Sequence, residues 1–230
     1  MKIVSPEEVC TMGCYVLTSM FHASIPSDTA AGLRRLILLP CRFAFIASEF
    51  LHGHDRTDRY FVHFRRLLEE AGIRFADSYV IDGRMTPQTA REAAACADVL
   101  WLSGGNTPRA FACLLEYGLD EVIRRHPGVI IGMSAGSINL ARTAVCSLTC
   151  GHSRQEIYPG LGCVDITVEP HFKPDAVSEE LLTLSRRIPL TGLCDEASII
   201  VENGVPAYCG DVFSIVDGHV SRLHSSADNP

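Results

Sequence analysis

The sequence predicts an α/β fold in which a doubly wound, mostly parallel sheet lies between two layers of helices. Short β-rich runs alternate with amphipathic helical stretches along the chain, a pattern typical of parallel sheets. Two apolar runs, 98–102 and 128–131, each lead through a glycine-containing turn into a helical stretch. The chain has 230 residues, of which 47% are hydrophobic, enough for one sizeable core. We therefore predict a single domain over residues 1–230.

Each strand is predicted from a short apolar, β-rich run. The predicted strands are 15–19, 43–47, 73–81, 98–102, 128–131, 164–168 and 197–201. Residues 207–216 alternate towards a terminal hairpin with Asp217-Gly218 as its turn.

The helices are predicted from periodic apolar faces and from capping residues. The predicted helices are 27–39 with Ser27 or Asp28 as its cap, 58–71, 86–96, one through Phe111, Leu114 and Leu115, and 176–187. In helix 58–71 the apolar face is clear and Gly72 follows its end, while Pro87 lies in the first turn of helix 86–96.

Charge and composition exclude several classes of function. The net charge of −7 is spread over many short segments, whereas binding to nucleic acid or an anionic membrane needs a concentrated basic patch. No apolar stretch approaches the roughly 20 residues that span a bilayer, and residues 9–23 lack the basic start of a signal peptide. We predict a soluble cytoplasmic protein. The ten cysteines include no C-x-x-C pair, so they are interpreted as core thiols and no metal is expected.

A candidate nucleophile lies in the segment Gly-Met-Ser-Ala-Gly at residues 132–136. A serine between two glycines at a sharp strand-to-helix turn is how a hydroxyl is presented above a sheet edge. The glycines allow a strained backbone and a close approach of substrate. The alternative is an ordinary turn in which Ser134 caps the following helix, since serine is a favoured N-cap.

A nucleophilic serine needs a base, and the base needs an acceptor that orients it. His171 directly follows a predicted strand and Pro170, so it is expected at a strand end like Ser134; His152, on a polar loop, is the second candidate. Asp195 and Glu196 lie at the head of strand 197–201 and are candidate acids, with solvated turn residues as the alternative. Gly-Gly-Asn at 104–106 ends another strand, where a backbone N–H could approach a bound carbonyl or where the chain simply turns.

Together these motifs resemble the peptidase E and cyanophycinase family of serine hydrolases. They are Gly-Gly-Asn-Thr at 104–107, Gly-Met-Ser-Ala-Gly-Ser at 132–137, Glu-Pro-His-Phe at 169–172 and Asp-Glu-Ala-Ser at 195–198. The resemblance implies a class I glutamine-amidotransferase-like fold over the whole chain. It implies Ser134 as nucleophile, His171 as general base and the amides of Gly105 and Ala135 as the oxyanion hole. Gly104 and Asn106 would help to hold the substrate.

The resemblance leaves the third catalytic residue to be chosen. Peptidase E has its acid about halfway between the serine and the histidine, and here that region, 146–151, contains no acid. Cyanophycinase-like relatives use a glutamate after the histidine, in a segment similar to 195–198. We therefore expect a Ser134–His171–Glu196 triad, with Asp195 as the fallback acid.

The resemblance further implies a serine-type peptidase that cleaves short peptides or isopeptides through an acyl-enzyme, with a preference for aspartyl substrates. Arg186 and Arg187 are the candidates for binding an acidic side chain. A small peptide is the expected substrate, without cofactor, nucleic acid or membrane, and a homodimer is the candidate assembly.

Three alternatives remain at this point. An α/β-hydrolase esterase also carries G-x-S-x-G, but its acid precedes its histidine in the chain. A glutamine amidotransferase needs cysteine where this chain has Ser134. A non-catalytic member of the fold could instead bind a small acidic ligand or a partner protein.

Overall fold

The structure, a computed structural model, describes residues 13–224. The strands are β1 (Cys14–Thr18), β2 (Cys41–Ile46), β3 (Phe75–Ile81), β4 (Val99–Leu102), β5 (Val129–Met133), β6 (Thr143–Cys146), β7 (Glu156–Pro159), β8 (Val168–Pro170), β9 (Leu190–Leu193), β10 (Ser198–Glu202), β11 (Val205–Cys209), β12 (Val212–Val216) and β13 (His219–Arg222). The helices are α1 (Ser27–Leu36), α2 (His54–Glu70), α3 (Pro87–Cys96), α4 (Thr107–Glu116), α5 (Leu119–Arg124), α6 (Ala135–Leu140) and α7 (Glu179–Ser185).

The main sheet has seven strands in the order β11-β10-β1-β5-β4-β2-β3. Five neighbouring strands, β1, β5, β4, β2 and β3, run parallel to one another. At the other edge β10 is antiparallel to β1, and β11 is antiparallel to β10. In this register Thr18 pairs with Met133, and Leu102 pairs with Gly132. The carboxyl ends of β1, β4 and β5 therefore meet at one edge, where α/β proteins bind ligands.

Helices cover both faces of this sheet. Side chains of α1 and α2 pack with Phe43, Phe45 and Trp101 on one face, while α3 to α6 pack on the other. Burial of aromatic and aliphatic side chains on this scale contributes roughly 1.5–3 kcal/mol per large residue. The predicted α/β class with a mostly parallel sheet is confirmed.

A second, four-stranded sheet has the order β13-β12-β9-β8 and packs against α7. Within it β8 and β9 run parallel, with Pro170 opposite Leu193. Both of these strands end near the edge described above, because Ser19 at the end of β1 contacts residues that follow β8 and β9. Strands β6 and β7 form a separate two-stranded sheet.

Most predicted elements exist, and their ends differ for local reasons. Helix α1 ends at Leu36, since Ile37 is already extended, and its N-cap is Pro26 instead of Ser27 or Asp28. Helix α2 starts at His54, a turn earlier than 58, from a left-handed Gly53. The predicted turn at Asp217-Gly218 has both φ angles positive, as type I′ hairpins require.

The region after β5 departs further from the prediction. The predicted strand 164–168 overlaps β8 only at Val168, and Val164 instead makes an isolated bridge to Ala141. Helix 176–187 is a 3-10 turn at Pro174–Ala176 followed by the shorter α7. The prediction contained none of α5, β6, β7 or β9, which are short, and it merged β11 with β12.

Two general expectations can be compared with the described residues. None of the nine cysteines between residues 13 and 224 forms a disulfide bond. None of the helices in that range is both long and apolar enough to cross a membrane.

Candidate active site

Ser134 occupies the turn between β5 and α6 in a strained backbone conformation. Its φ is 50° and its ψ is −108°, a combination that costs a non-glycine residue roughly 1–3 kcal/mol. The Ser134 amide donates to the carbonyl of Thr18 at 2.8 Å, which holds the turn against the end of β1. Its side chain makes no capping hydrogen bond to α6. The hydroxyl therefore does not act as the helix cap that the alternative interpretation required.

The two glycines of this turn are required by close packing. A Cβ on Gly136 would lie 2.2 Å from the carbonyl oxygen of Leu102, and one on Gly132 would lie 2.8 Å from the amide nitrogen of Ser137. Both distances are far shorter than van der Waals contact. The backbone of α6 therefore lies directly on β4 and β5, and this packing determines the position of Ser134.

His171 follows β8 and reaches the nucleophile. Its Nε2 lies 3.0 Å from Ser134 Oγ, which is hydrogen-bond distance. The backbone at His171 is also in the left-handed region, with φ of 56°. Its amide donates to Ser19 Oγ at 2.8 Å, so the end of β1 positions both Ser134 and His171. The second candidate base, His152, lies instead 3.4 Å from the hydroxyl of Thr107.

The acid beside His171 is Asp195, and the expected contact with Glu196 is wrong. Asp195 Oδ1 lies 2.8 Å from His171 Nδ1. The Glu196 carboxylate does not contact His171 but accepts a hydrogen bond from the His22 amide at 2.8 Å. The backbone of Glu196 is left-handed, with φ of 65°, and its amide donates to Met20 O. The left-handed backbone at Glu196 directs two consecutive acidic side chains to different partners.

The Asp195 carboxylate is kept ionised by its neighbours. Burial alone would raise its pKa, but hydrogen bonds from Ser19, His22 and His171 outweigh that effect and lower the pKa below its ordinary value. Ser19 Oγ donates to Asp195 Oδ1 at 2.5 Å, and His22 Nε2 lies 3.1 Å from Oδ2. An ionised carboxylate can orient an imidazole and stabilise its protonated form.

Sequence reasoning missed Ser19 and His22. Ser19 is the last residue of the first predicted strand, 15–19, and is not among the predicted site residues. Its position at a strand end was the available signal, since Ser134 and His171 were found by the same criterion. His22 lies on a loop with no comparable pattern.

The candidate oxyanion donors lie on two strand ends around Ser134. Gly105 has φ of 153°, and a Cβ there would lie 2.2 Å from Ser48 Oγ. A Cβ on Gly104 would lie 3.4 Å from the Ser134 Cβ. Ala135 is the first residue of α6, where helix amides have no acceptor within the helix. Asn106 Oδ1 accepts from the Arg109 amide at 3.0 Å, so Asn106 caps α4.

Ser134 and His171 line a cleft of about 470 Å³, a size that suits a small ligand. Its other walls include Gly104, Gly105 and Asn106 together with Met20, Ser48, Glu49, Arg56, Tyr60 and Cys150. Glu49 forms an ion pair with Arg109 at 3.2 Å. Within residues 13–224, Arg56 has no ion-pair partner, so the cleft presents one uncompensated positive charge.

The expected cations for an acidic substrate, Arg186 and Arg187, are not in this cleft. Arg186 lies beside the hairpin turn, with its Nε 3.4 Å from where a Cβ on Gly218 would be. Arg187 follows α7, whose apolar side packs on the second sheet. The expectation failed because it rested on distance along the chain from His171.

At the carboxyl ends of the parallel strands, a serine with a strained backbone lies within hydrogen-bond distance of a histidine, and the histidine lies within hydrogen-bond distance of an aspartate. This arrangement is typical of serine hydrolases. The model of Peptidase family S51 matches residues 44–206, more than two thirds of the chain. The chain belongs to peptidase family S51.

Solved structures show the same fold. A crystal structure of a peptidase from an acI-B1 Actinobacterium has a TM-score of 0.68 and 14% identity, covering 95% of this chain and 96% of that one. A structure assigned as a peptidase E protein from Listeria monocytogenes EGD-e has a TM-score of 0.59 and 18% identity, covering 92% and 99%. No curated protein sequence matches the chain significantly.

Proposed function

We propose that this protein is a serine peptidase whose triad is Ser134, His171 and Asp195. The observation that carries the proposal is the pair of contacts at 3.0 Å and 2.8 Å that joins the three side chains in order. Membership of family S51 supports peptide hydrolysis. The α/β-hydrolase esterase is disfavoured by that membership and because Asp195 follows His171 in the chain.

In the proposed reaction His171 Nε2 takes the proton of Ser134 as the hydroxyl oxygen attacks the scissile carbonyl carbon. The amides of Gly105 and Ala135 donate to the resulting oxyanion. His171 then protonates the leaving amine, the C–N bond breaks and an acyl-enzyme remains on Ser134. Water attacks the ester carbonyl and gives its proton to His171; the bond between the acyl carbon and Ser134 Oγ then breaks, His171 returns the proton to Oγ and the acid product leaves. Asp195 holds the imidazole tautomer throughout.

The cleft supports short substrates with a negative charge. Its volume of about 470 Å³ suits a dipeptide or a short isopeptide more than a folded chain. Arg56 gives it a guanidinium that can bind a carboxylate in bidentate geometry. We propose a dipeptidase-like activity with a preference for aspartyl substrates, and Arg56 replaces Arg186 and Arg187 as the residue that binds the acidic group.

The activity is tested by labelling with a fluorophosphonate probe and locating the adduct by mass spectrometry. We expect an adduct on Ser134 in the wild type and none in Ser134→Ala. Ser153→Ala, which removes an exposed loop serine, is the matched control and should label like wild type. Absence of any adduct on the folded protein, repeated with a smaller sulfonyl fluoride, would favour the non-catalytic binding member of the fold.

The substrate preference is tested with paired peptides, Asp-Leu against Asn-Leu and Leu-Leu. Arg56→Gln should raise KM for Asp-Leu by about tenfold or more and leave the neutral peptides within about threefold, because only the charged peptide loses a partner. The control is Arg59→Gln, because Arg59 lies three residues after Arg56 in α2 and does not line the cleft. An equal loss on all three peptides would argue against the aspartyl preference.

A further inference from the structure

Glu169 lies two residues before His171, and its side chain is fully buried. Its Oε1 accepts a hydrogen bond from Ser147 Oγ at 2.7 Å and lies 3.2 Å from Cys150 Sγ. None of these three residues has a role in the proposed chemistry. A buried carboxylate is costly unless it is neutral or paired, so its presence here requires an explanation.

The partners of Glu169 belong to the turn that follows β6. The Cys150 amide donates to Ser147 Oγ at 3.1 Å, and the Cys150 thiol also lies 3.3 Å from the carbonyl of Pro170, the residue next to His171. Cys150 lines the cleft beside Ser134 and His171. The network therefore connects a wall of the cleft to the strand end that carries His171.

This turn occupies residues 146–151, the region in which peptidase E has its catalytic acid and in which this sequence has none. The structure supplies a carboxyl group there from β8 instead. A second carboxylate, Glu180, accepts from the Leu148 amide at 3.0 Å on the solvent side of the same turn. The turn is thus held between a buried acid and a half-buried one.

We propose that Glu169 is a positioning residue for His171, acting through Ser147 and Cys150 to hold the Pro170–His171 backbone in place for proton transfer. The inference rests on the proposed function, since it concerns the same histidine. His171 needs such support because its backbone is left-handed and its side chain is partly exposed, so apolar packing does not determine where the ring lies.

The protonated form of Glu169 suits this role. Burial raises its pKa to about 7, and the hydrogen bonds from Ser147 and Cys150 oppose that rise only in part. Within the described residues Glu169 Oε2 has no hydrogen-bond partner, which leaves a negative charge poorly compensated. Glutamine has the shape and the neutral charge of the protonated acid, so it should replace Glu169 where methionine cannot.

The experiment compares Glu169→Gln, Glu169→Met and Ser147→Ala with wild type, measuring probe labelling, kcat and KM. We expect Glu169→Met to lower kcat and the labelling rate by about tenfold or more with KM within about threefold, because positioning of the base acts on the transition state. Glu169→Gln should stay within about threefold of wild type, and Ser147→Ala should fall between the two. Glu179→Gln, at an exposed position of the first turn of α7, is the matched control and should behave like wild type.

Crystal structures of the two Glu169 variants provide a readout that does not depend on activity. The contact between Ser134 Oγ and His171 Nε2 should remain near 3.0 Å in Glu169→Gln and lengthen beyond hydrogen-bond distance in Glu169→Met. If Glu169→Met does not fold, the double variant Ser147→Ala/Cys150→Ala takes its place, since it keeps Glu169 and removes its partners.

Unchanged labelling and geometry in Glu169→Met would overturn the inference, as would an equal loss in Glu169→Gln and Glu169→Met. These results differ from a failure of the proposed function, in which folded wild type would not be labelled at Ser134 at all. In that case the His171 geometry of the two variants still decides the positioning role.

Discussion

The two halves of the candidate site are held by different forces. The nucleophile half, residues 132–136, is packed backbone against backbone, and Ala135 is fully buried. The histidine–acid half extends from the edge of the second sheet, where the side chains of His171 and Asp195 are 39% and 37% exposed. Polar contacts from Ser19, His22 and the Glu169 network hold that half.

The contrast shows which substitutions each half should tolerate. Close packing leaves no room for a single added carbon, so steric changes should disrupt the nucleophile. Hydrogen bonds fail when one partner is removed, and a group next to water loses less than a buried one. The predictions below test this division, in order of the expected effect on activity.

The largest effect is expected at the acid. Asp195→Asn should lower kcat by about 10³- to 10⁴-fold, because an amide no longer stabilises the imidazolium and favours the wrong tautomer of His171. Glu196→Gln should stay within about fivefold, since Glu196 contacts the His22 amide and not His171. Steady-state kinetics on one peptide substrate gives both values, and circular dichroism controls for folding. The reverse order of effects would restore Glu196 as the acid.

A smaller but still large effect is expected from a steric change in the nucleophile half. Gly136→Ala would place a Cβ 2.2 Å from the Leu102 carbonyl oxygen, so α6 must move. We expect about 100-fold slower probe labelling and a loss of about 3 kcal/mol in the free energy of unfolding, at the upper end of overpacking costs.

Gly204→Ala is the control for that substitution. Gly204 has φ of +79° and no atom within 4 Å of the added carbon, so only backbone strain of about 1 kcal/mol is expected, with labelling unchanged. If Gly136→Ala were labelled as fast as Gly204→Ala, packing of α6 would not be what positions Ser134.

The same division explains which parts of the site the sequence could predict. Ser134 was predictable because its glycines, strand and helix are neighbours in the chain, and His171 because a strand and Pro170 precede it. Asp195 and Glu196 could not be separated, because both lie at the head of the same predicted strand. The Glu196 amide donates to Met20 O in the loop after β1, and this contact accompanies the left-handed backbone at Glu196. Ser19 contacts residues more than 150 positions away, and no local pattern carries that information.

The fold follows the same rule. Strand β4 was predictable because it is a continuous buried apolar run, and α2 was predictable because one face of the helix is apolar and buried. Most of the region after β5 was not predictable, because its elements are three to seven residues long and acquire their shape from tertiary contacts; the apolar strand β10 and the turn at Asp217-Gly218 are the exceptions. Strand β8 has only three residues and pairs with β9 through a register that no spacing in the sequence indicates.

A moderate effect is expected where a single polar contact is removed from the histidine–acid half. Ser19→Ala deletes the hydroxyl that donates to Asp195 and accepts from the His171 amide. We expect kcat to fall about tenfold, equivalent to the loss of one hydrogen bond to a charged group. His22→Gln removes the more exposed contact to Asp195 and should cost about threefold or less. Equal effects would mean that burial of the partner does not matter in this half.

The smallest effect on turnover is expected from Glu169→Gln. This substitution should instead change how the free energy of unfolding depends on pH. Burial raises the pKa of Glu169 from 4.5 to about 7, so between these values the folded state binds more protons than the unfolded state. The free energy of unfolding of wild type should therefore fall relative to Glu169→Gln as pH rises from about 4.5 to 7, and the difference should level off above that.

The full change is on the order of 3 kcal/mol for a fully buried group, measured by urea denaturation at pH 5, 6, 7 and 8. The charge of Glu180, which faces Glu169 from α7, adds to the rise in pKa, so Glu180→Gln should reduce the slope slightly without removing it. A constant difference between wild type and Glu169→Gln from pH 5 to 8 would mean that Glu169 does not change its protonation in this range. In that case a protonated Glu169 could not be the group that supports the histidine–acid half of the site.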